Sequence, residues 1–441
     1  MPDNRKRLAD IAFVLALMLY MLYGTAQVPP HADEYMHIAM ARDFFLLREG
    51  GPAALAYTPP VQVDTLQYLR LLNGTVHKNL VGILWAASGR SPDSLPNIYA
   101  WAMPLAWNIA NGNVPSQAEL NLARWASAIL AALAVVPMFM LGWHLRLRAL
   151  AYPAALLYAL HPVILLNGRR AMLEGSLMFF SLCSMYWLVA LIVSEHSATA
   201  RGFMVKLPLW ARYGVLGALI GLTVASKHSG IIVAGAILTA AFITGIVRES
   251  PPRPLRPLVW VSFAGGVGAA TWFVLSPHLW NAPLEALKAM LAARGDLLNL
   301  QASDVALAHS GLGSRLAAIL TQPFLSAPQY FEAPTWAGLL NAQIAAYQDS
   351  ATNGWDWGVP IGIVLTGLAL LGGLTLVAEA RRRNLIAWAI LVWVGAAILA
   401  SAAVPMNWQR YYLPLILVAI VLAAAGLGRL LVRREQDSKG A

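Results

Sequence analysis

Cysteine and charged side chains are scarce in this sequence. Cys183 is the only cysteine among 441 residues, so no disulfide can form within the chain and no cysteine-based metal site is available. Charged residues make up only 12% of the chain, while hydrophobic residues make up 59%. Soluble domains carry about 25% charged residues. The composition therefore predicts an integral membrane protein.

Acidic residues are also outnumbered, with 21 Asp and Glu against 31 Lys and Arg, which gives a net charge of +10. A charge of this size is typical of nucleic-acid binding, but here the basic residues cluster between apolar segments. Such clustering follows the positive-inside rule of membrane proteins. We therefore interpret the charge as a sign of topology and expect no nucleic-acid partner. The clusters lie at 144–148, 248–257, 381–384 and 429–435.

Long apolar windows predict about ten transmembrane helices, with the amino terminus in the cytoplasm. Every basic cluster then lies on the cytoplasmic side. Arg5, Lys6 and Arg7 precede the first span, which is long enough to cross a bilayer, and we interpret it as a signal anchor rather than a cleaved signal peptide. The predicted spans are 8–27, 122–143, 149–166, 172–194, 210–226, 229–247, 257–276, 358–378, 385–404 and 411–431.

Two long connections, 28–121 and 277–357, face the outside under this topology. Neither is long enough for a large separate enzyme domain, so residues 1–441 are expected to form one membrane domain. Any chemistry should then lie where the connections meet the helix bundle. Apolar residues at helical spacing predict further helices within both connections. These are two amphipathic helices on the bilayer surface at Glu34–Leu47 and Ile98–Ile109, and two more helices near 283–299 and 313–326.

Two adjacent carboxylates, Asp33 and Glu34, follow the first span directly. Like charges this close are expected to raise one another's pKa, and a carboxylate at the membrane boundary could act as a general base. The alternative is a solvated pair of loop acids. His31 and His37 flank the pair, and they could hold a divalent metal with one of the acids or simply be solvated.

Three further polar groups interrupt the apolar segments on the predicted external side. Charged residues at such positions are costly and are therefore functional candidates. Lys and Arg could stabilise the negative charge that a departing lipid-linked phosphate carries. The alternatives are arginines that anchor helix ends in headgroups, a lysine that snorkels, and pairing of Glu174 with Arg170. The groups are Arg169, Arg170 and Glu174; Lys227 and His228; and Arg410, Tyr411 and Tyr412.

These polar groups lie in segments that resemble a known family. The segment at the acid pair, DEYMHIAMA, resembles the first external loop of membrane glycosyltransferases with the GT-C fold. Two turns, GRRAMLEGSLMFF and GLTVASKHSGIIV, resemble turns of the protein O-mannosyltransferase group, and NWQRYYLPLILVAIVLAAAGLGRL resembles its last helix. The four segments occur in the order of the family. The resemblance implies an all-α GT-C-like bundle of the glycosyltransferase family 39 type, similar to O-mannosyltransferases and aminoarabinose transferases.

The resemblance also implies a reaction, the transfer of a sugar from a polyprenyl-phosphate donor to an acceptor hydroxyl. Direct displacement would invert the anomeric carbon at the periplasmic face of a bacterial-type inner membrane, with Asp33 as general base. The acceptor is a protein, a lipid or a glycan. The implied site residues are Asp33 and Glu34 as the catalytic acids; Lys227, Arg410, Arg169 and Arg170 at the donor phosphate; and Glu174, His228, Tyr411 and Tyr412 in support.

Three alternatives remain at this point. Within the fold, the enzyme could transfer aminoarabinose or a similar sugar to a lipid. A flippase or transporter for lipid-linked sugars would use the same cations but need no base, and the paired halves frequent in transporters are not visible here. A structural scaffold would not explain polar groups on a single side. No nucleotide site is visible, and no cofactor is expected with certainty. A divalent metal that His31 and His37 could hold is the one cofactor considered.

Overall fold

The computed structural model describes residues 4–145, 147–196, 203–248, 254–304, 307–333 and 336–440. These residues form α-helices joined by turns and short 3₁₀ segments, and their one β pairing is an isolated antiparallel bridge between Ala308 and Met406. The helices are α1 (Asn4–Tyr23), α2 (Ala32–Ala39), α3 (Arg42–Gly50), α4 (Leu66–Leu72), α5 (Val76–Ala87), α6 (Leu105–Ala110), α7 (Gln117–Leu133), α8 (Val135–Trp143), α9 (Ala151–Leu160), α10 (Pro162–Arg169), α11 (Glu174–His196), α12 (Phe203–Lys206), α13 (Leu209–Ser226), α14 (Gly230–Arg248), α15 (Leu255–Val274), α16 (Pro283–Ala302), α17 (Leu312–Thr321), α18 (Asn341–Gln348), α19 (Gly358–Arg381), α20 (Leu385–Ala403) and α21 (Leu413–Gly440).

Nine helical segments of the described chain are long and apolar enough to cross a membrane, and one bent pair makes a tenth. They coincide with the ten predicted spans, so the prediction of an all-α, multi-pass membrane bundle is confirmed. Their facing side chains form one large apolar core. The spans are α1, α7 with α8, α9 with α10, α11, α13, α14, α15, α19, α20 and α21.

The bent pair corresponds to the predicted span 149–166. α9 and α10 meet at an angle of 58°, because Pro162 lacks a backbone N–H and holds the preceding residue out of the helical conformation. That residue, His161, is extended, and its ring accepts the N–H of Val163, which caps α10. The bend directs the end of α10, with Arg169 and Arg170, towards the first long connection.

The two long connections pack together on one end of the bundle, which we call the loop end. Tyr35 and Ile38 from the first connection, Trp85 of α5 and Trp336 from the second connection belong to a second, smaller core there. This core holds α2 against the bundle. Packing between the connections therefore holds the loop end together.

The helices within the connections differ in part from the prediction. The segment Glu34–Leu47 forms two helices, α2 and α3, and nearly all of α2 is buried, so the expectation of one amphipathic helix on the bilayer surface is wrong. The apolar residues of α2 face protein on most sides. In the segment Ile98–Ile109 only α6 is helical. The predicted helices near 283–299 and 313–326 are confirmed as α16 and α17.

Candidate functional site

The acid pair lies in the first turn of α2. The His31 side chain accepts the backbone N–H of Asp33 at 3.1 Å, and the Glu34 carboxylate accepts the backbone N–H of His31 at 2.9 Å. This reciprocal capping satisfies N–H groups that the first turn of a helix leaves free. The cap fixes where α2 begins, and with it the directions of both carboxylates.

Asp33 lies beside two residues from distant parts of the chain. Its carboxylate forms an ion pair with Arg410, and the Nε of Arg410 lies 3.2 Å from a carboxylate oxygen of Glu332. Glu332 in turn contacts the ring of His31. The Asp33 side chain remains 12% exposed. Sequence reasoning missed Glu332, which lies in no recognisable motif.

Positive charge governs the protonation of these acids. Burial alone would raise the pKa of Asp33, but Arg410, followed by His31 and His37, holds that pKa well below its usual range. Burial also opposes ionisation of Glu332, yet Arg410 and His31 lower its pKa to about 2. The pKa values of the adjacent acids are thus lowered overall and not raised, because the cations outweigh the like charge. Asp33 is ionised at neutral pH, the form that a base needs.

Glu34 occupies a different environment from its neighbour. It is fully buried, and its two oxygens accept the Nε and Nη2 of Arg124 at 2.8 and 3.0 Å. One oxygen also accepts the backbone N–H of Ala171 at 2.8 Å. These donors, chiefly Arg124, lower its pKa against the effect of burial. With its oxygens occupied, Glu34 positions α2 against α7 and leaves Asp33 as the accessible acid.

Glu174 and Lys227 form a second ion pair at the loop end, with 2.7 Å between Nζ and Oε1. Glu174 begins α11, whereas Lys227 lies in the turn between α13 and α14. The alternative pairing of Glu174 with Arg170 is wrong, because the residues between α10 and α11 form a turn instead of continuing a helix. The second carboxylate oxygen of Glu174 has no hydrogen-bond partner among the described residues.

Three cations surround the ring of Tyr411. Lys227 Nζ lies 5.2 Å from the ring centroid, the Arg410 guanidinium 5.7 Å and the Arg294 guanidinium 5.9 Å. Lys227 and Arg410 are paired with carboxylates, but Arg294 makes no ion pair within the described chain. Cations that converge in this way beside Asp33 can bind an anion. We call Lys227, Arg294 and Arg410 the cation cluster.

Arg169 and Arg170, expected beside Lys227 and Arg410, face other partners. Arg169 donates to the carbonyls of Met21 at 2.7 Å and Tyr20 at 2.9 Å, to the Tyr347 hydroxyl at 3.1 Å and to the carbonyl of Thr352. Arg170 donates to the carbonyls of Pro29 and Tyr330. Both arginines are almost completely buried. Their guanidinium groups therefore tie α10 to α1 and to the second connection, and their donors are directed at protein oxygens.

Two of the expected supporting residues lie apart from Asp33. His228 is near Arg294 and Lys78, and burial together with these cations lowers its pKa to about 4. Tyr412 is fully buried, and its hydroxyl contacts the ring of His309 at 2.8 Å. Tyr411, by contrast, lies at the centre of the cation cluster and stacks on Trp408.

The two histidines considered as metal ligands are not brought together. His31 contacts Glu332, whereas the ring of His37 packs edge-on against His77, with 5.9 Å between centroids. No three His, Cys, Asp or Glu side chains of the described residues are arranged to hold a metal ion. The donor set therefore does not fit a metal site at His31 and His37.

Three charged residues of the site were missed from sequence. Arg124 lies inside the predicted span 122–143, and an arginine in an apolar span is itself a signal of function. Glu332 and Arg294 lie in the second connection, where charged residues are ordinary.

A further buried group, Asp43 with Arg70 and Lys78, joins α3, α4 and α5 through contacts of 2.6–2.9 Å. Its charges compensate one another, which indicates a structural role.

Comparison with known proteins supports the resemblance. A sequence model of the dolichyl-phosphate-mannose-protein mannosyltransferase family matches residues 73–248. No curated protein matches the chain. Among solved structures, the oligosaccharyltransferase AglB from Archaeoglobus fulgidus, in complex with an inhibitory peptide and a dolichol-phosphate, is similar, with a TM-score of 0.56 and 15% identity over 99% of this chain and 52% of that one.

ArnT from Cupriavidus metallidurans is similar as well. Its apo structure has a TM-score of 0.53 and 12% identity over 96% of this chain and 60% of ArnT. Its structure bound to undecaprenyl phosphate has a TM-score of 0.50 and 13% identity over 95% of this chain and 60% of ArnT. The chain thus spans about half to three-fifths of the length of these proteins. The predicted resemblance is confirmed, and the fold is the GT-C membrane fold.

Proposed function

We propose that this chain, which has the GT-C fold, transfers a sugar from a polyprenyl-phosphate donor to an acceptor hydroxyl. The observation that carries the proposal is the position of the ionised Asp33 carboxylate next to the cation cluster around Tyr411. Support also comes from the solved structures of similar fold, one in complex with a dolichol-phosphate and one bound to undecaprenyl phosphate. The reaction takes place at the loop end, on the periplasmic face of a bacterial inner membrane.

Asp33 acts as the general base. It accepts the proton of the acceptor hydroxyl while the hydroxyl oxygen attacks the anomeric carbon of the donor. The bond between that carbon and the phosphate oxygen breaks, and its electron pair leaves with the polyprenyl phosphate. Because the acceptor attacks opposite the leaving phosphate, the configuration inverts.

The cation cluster holds the donor phosphate and stabilises the charge that develops when the sugar leaves. Arg410 connects the two halves of the site, because it pairs with Asp33 and Glu332 and also borders Tyr411. A phosphate beside Tyr411 would draw Arg410 away from Asp33. The carboxylate would then be free for the acceptor hydroxyl, so donor binding prepares the base.

Glu34 positions Asp33 in this scheme. Its contacts with Arg124 and Ala171 fix the first turn of α2, and no oxygen of Glu34 remains for the substrate. The acceptor is a protein, a lipid or a glycan. Transfer of an aminoarabinose-type sugar to a lipid is the second candidate and uses the same base and cations.

Asp33→Asn tests the transferase against a flippase. The amide keeps the size of the side chain but cannot accept a proton at neutral pH, and general bases contribute about 10²–10⁴-fold. In vesicles with purified protein, a polyprenyl-phosphate sugar and candidate acceptors of each class, sugar transfer should fall by that order. Donor binding should persist, because Arg410 keeps Glu332 as a partner.

Asp93→Asn is the matched control, since Asp93 is an exposed carboxylate of the same connection and should leave transfer unchanged. Sugar transfer at the wild-type rate in the Asp33→Asn variant would contradict the assignment of Asp33 as general base. The flippase would be favoured by two results together. The Asp33→Asn variant would move lipid across the bilayer at the wild-type rate, and the wild-type protein would transfer sugar to no acceptor.

A further inference from the structure

His37 is a buried histidine that the mechanism so far does not use. It follows Asp33 by four residues in α2, which places the two side chains on one helix face with Cβ atoms about 5–6 Å apart. Only 4% of the residue is exposed, and its Nδ1 has no hydrogen-bond partner among the described residues. Buried polar atoms are nearly always paired in proteins, so an unpaired one calls for an explanation.

The surroundings of His37 are polar and charged. Four charged groups act on it electrostatically: Asp33 on its own helix, Glu174 of α11, Lys227 in the turn after α13, and Arg410 at the start of the last span. His77 of α5 packs edge-on against its ring. One oxygen of Glu174 is unpaired as well. Two buried polar atoms, Nδ1 of His37 and Oε2 of Glu174, thus have no hydrogen-bond partner among the described residues.

We propose that His37 is a positioning residue that acts through Asp33 and takes over the proton that Asp33 removes from the acceptor hydroxyl. The inference rests on the proposed function. The acceptor oxygen bonds to the anomeric carbon, and the phosphate leaves with the electron pair of the broken bond. The hydroxyl proton passes first to Asp33 and then to Nδ1 of His37. It leaves His37 for solvent after product release, so Asp33 returns to its carboxylate form.

The charges around His37 set its protonation state. Burial, reinforced by Arg410 and Lys227, lowers the pKa of His37 to about 4, although Asp33 and Glu174 raise it. His37 is therefore neutral at neutral pH and can accept a proton. A donor phosphate would offset Arg410 and Lys227 and make His37 more basic in the loaded enzyme.

The test compares His37→Gln with His278→Gln in the vesicle transfer assay. His278 is another buried, neutral histidine, but it faces Lys78 and His228 instead of Asp33. We expect kcat to fall about 10²-fold in His37→Gln, with the donor KM unchanged, and to stay at the wild-type value in His278→Gln. Added imidazole should restore turnover in His37→Ala, and the restored rate should rise with pH as imidazole becomes neutral.

A further measurement uses the wild-type protein and does not depend on the folding of a variant. In a single turnover, rapid-mixing infrared spectroscopy of the wild-type protein should show a transient imidazolium signal, because the proton rests on His37 before it leaves for solvent. No imidazolium signal, a wild-type kcat in His37→Gln, or a loss in His37→Ala that imidazole does not restore would each overturn the role of His37 alone. A wild-type protein without any sugar transfer would overturn this inference together with the proposed function.

Discussion

Asp33 and Glu34 are neighbours in sequence but have opposite surroundings. The oxygens of Glu34 are occupied by Arg124 and by backbone N–H groups in a fully buried position. Asp33 keeps a partly exposed carboxylate that shares Arg410 with Glu332. Adjacent residues of one helix therefore have different roles: Glu34 positions the helix, and Asp33 is the proposed base.

Arg294 gives the clearest test of the cation cluster, because its charge has no carboxylate partner within the described chain. Arg294→Met should weaken the binding of a polyprenyl-phosphate sugar by about 1.5–3 kcal/mol, the usual contribution of a charge-assisted hydrogen bond. The unfolding midpoint in detergent should not change. Donor affinity is measured by titration in detergent micelles.

Lys227→Met removes another cation beside the Tyr411 ring and is compared with Arg294→Met. It should weaken donor binding similarly, but it should also lower stability, because it leaves the buried Glu174 without its cation. Lys227→Met with Glu174→Gln should recover the stability and leave the donor affinity low. Unaltered donor affinity in both single variants would show that the donor phosphate does not bind at the cation cluster.

Packing between α13 and α15 depends on glycines. A Cβ on Gly221 would lie 2.5 Å from the carbonyl oxygen of Gly268 and 2.6 Å from Cβ of Thr271, so the two backbones are in close contact. Small residues at a helix interface permit this approach in membranes. Gly221→Ala should therefore separate the helices and destabilise the protein by about 1–3 kcal/mol, the usual cost of overpacking.

Gly266→Ala is the matched control, since it makes the same substitution on α15 with open space around the new Cβ. Alanine is the better helix former by about 1 kcal/mol, so this variant should be at least as stable as the wild type. Thermal unfolding in detergent measures both. Equal midpoints in the two variants would contradict close packing at Gly221.

The topology of the whole molecule determines the side on which the chemistry takes place. Ala54 is exposed in the first connection, and Arg382 is exposed between α19 and α20, at the opposite end under the predicted topology. In a Cys183→Ala background, Ala54→Cys should react with an impermeant thiol reagent outside intact cells. Arg382→Cys should react only after permeabilisation. The reverse pattern would move the site to the cytoplasm.

The sequence by itself determined the membrane architecture. Crossing a bilayer requires about 20 apolar residues in a row, and that requirement is local, so each of the ten predicted spans could be read from a single window. Charges within apolar surroundings are costly, which is why Asp33, Lys227 and Arg410 could be selected as candidates. Apolar spacing also indicated helices after the first span, but it did not reveal that α2 is buried.

Only the tertiary structure decided which charges meet. Glu34 and Arg124 are 90 residues apart, Asp33 and Arg410 are 377 residues apart, and neither pairing is encoded in local spacing. Packing of the helices directed Arg169 into backbone carbonyls and brought Arg294 to Tyr411. The reason is physical: a side chain's pairing depends on the distance and direction between helices, which long-range packing fixes after each helix has formed.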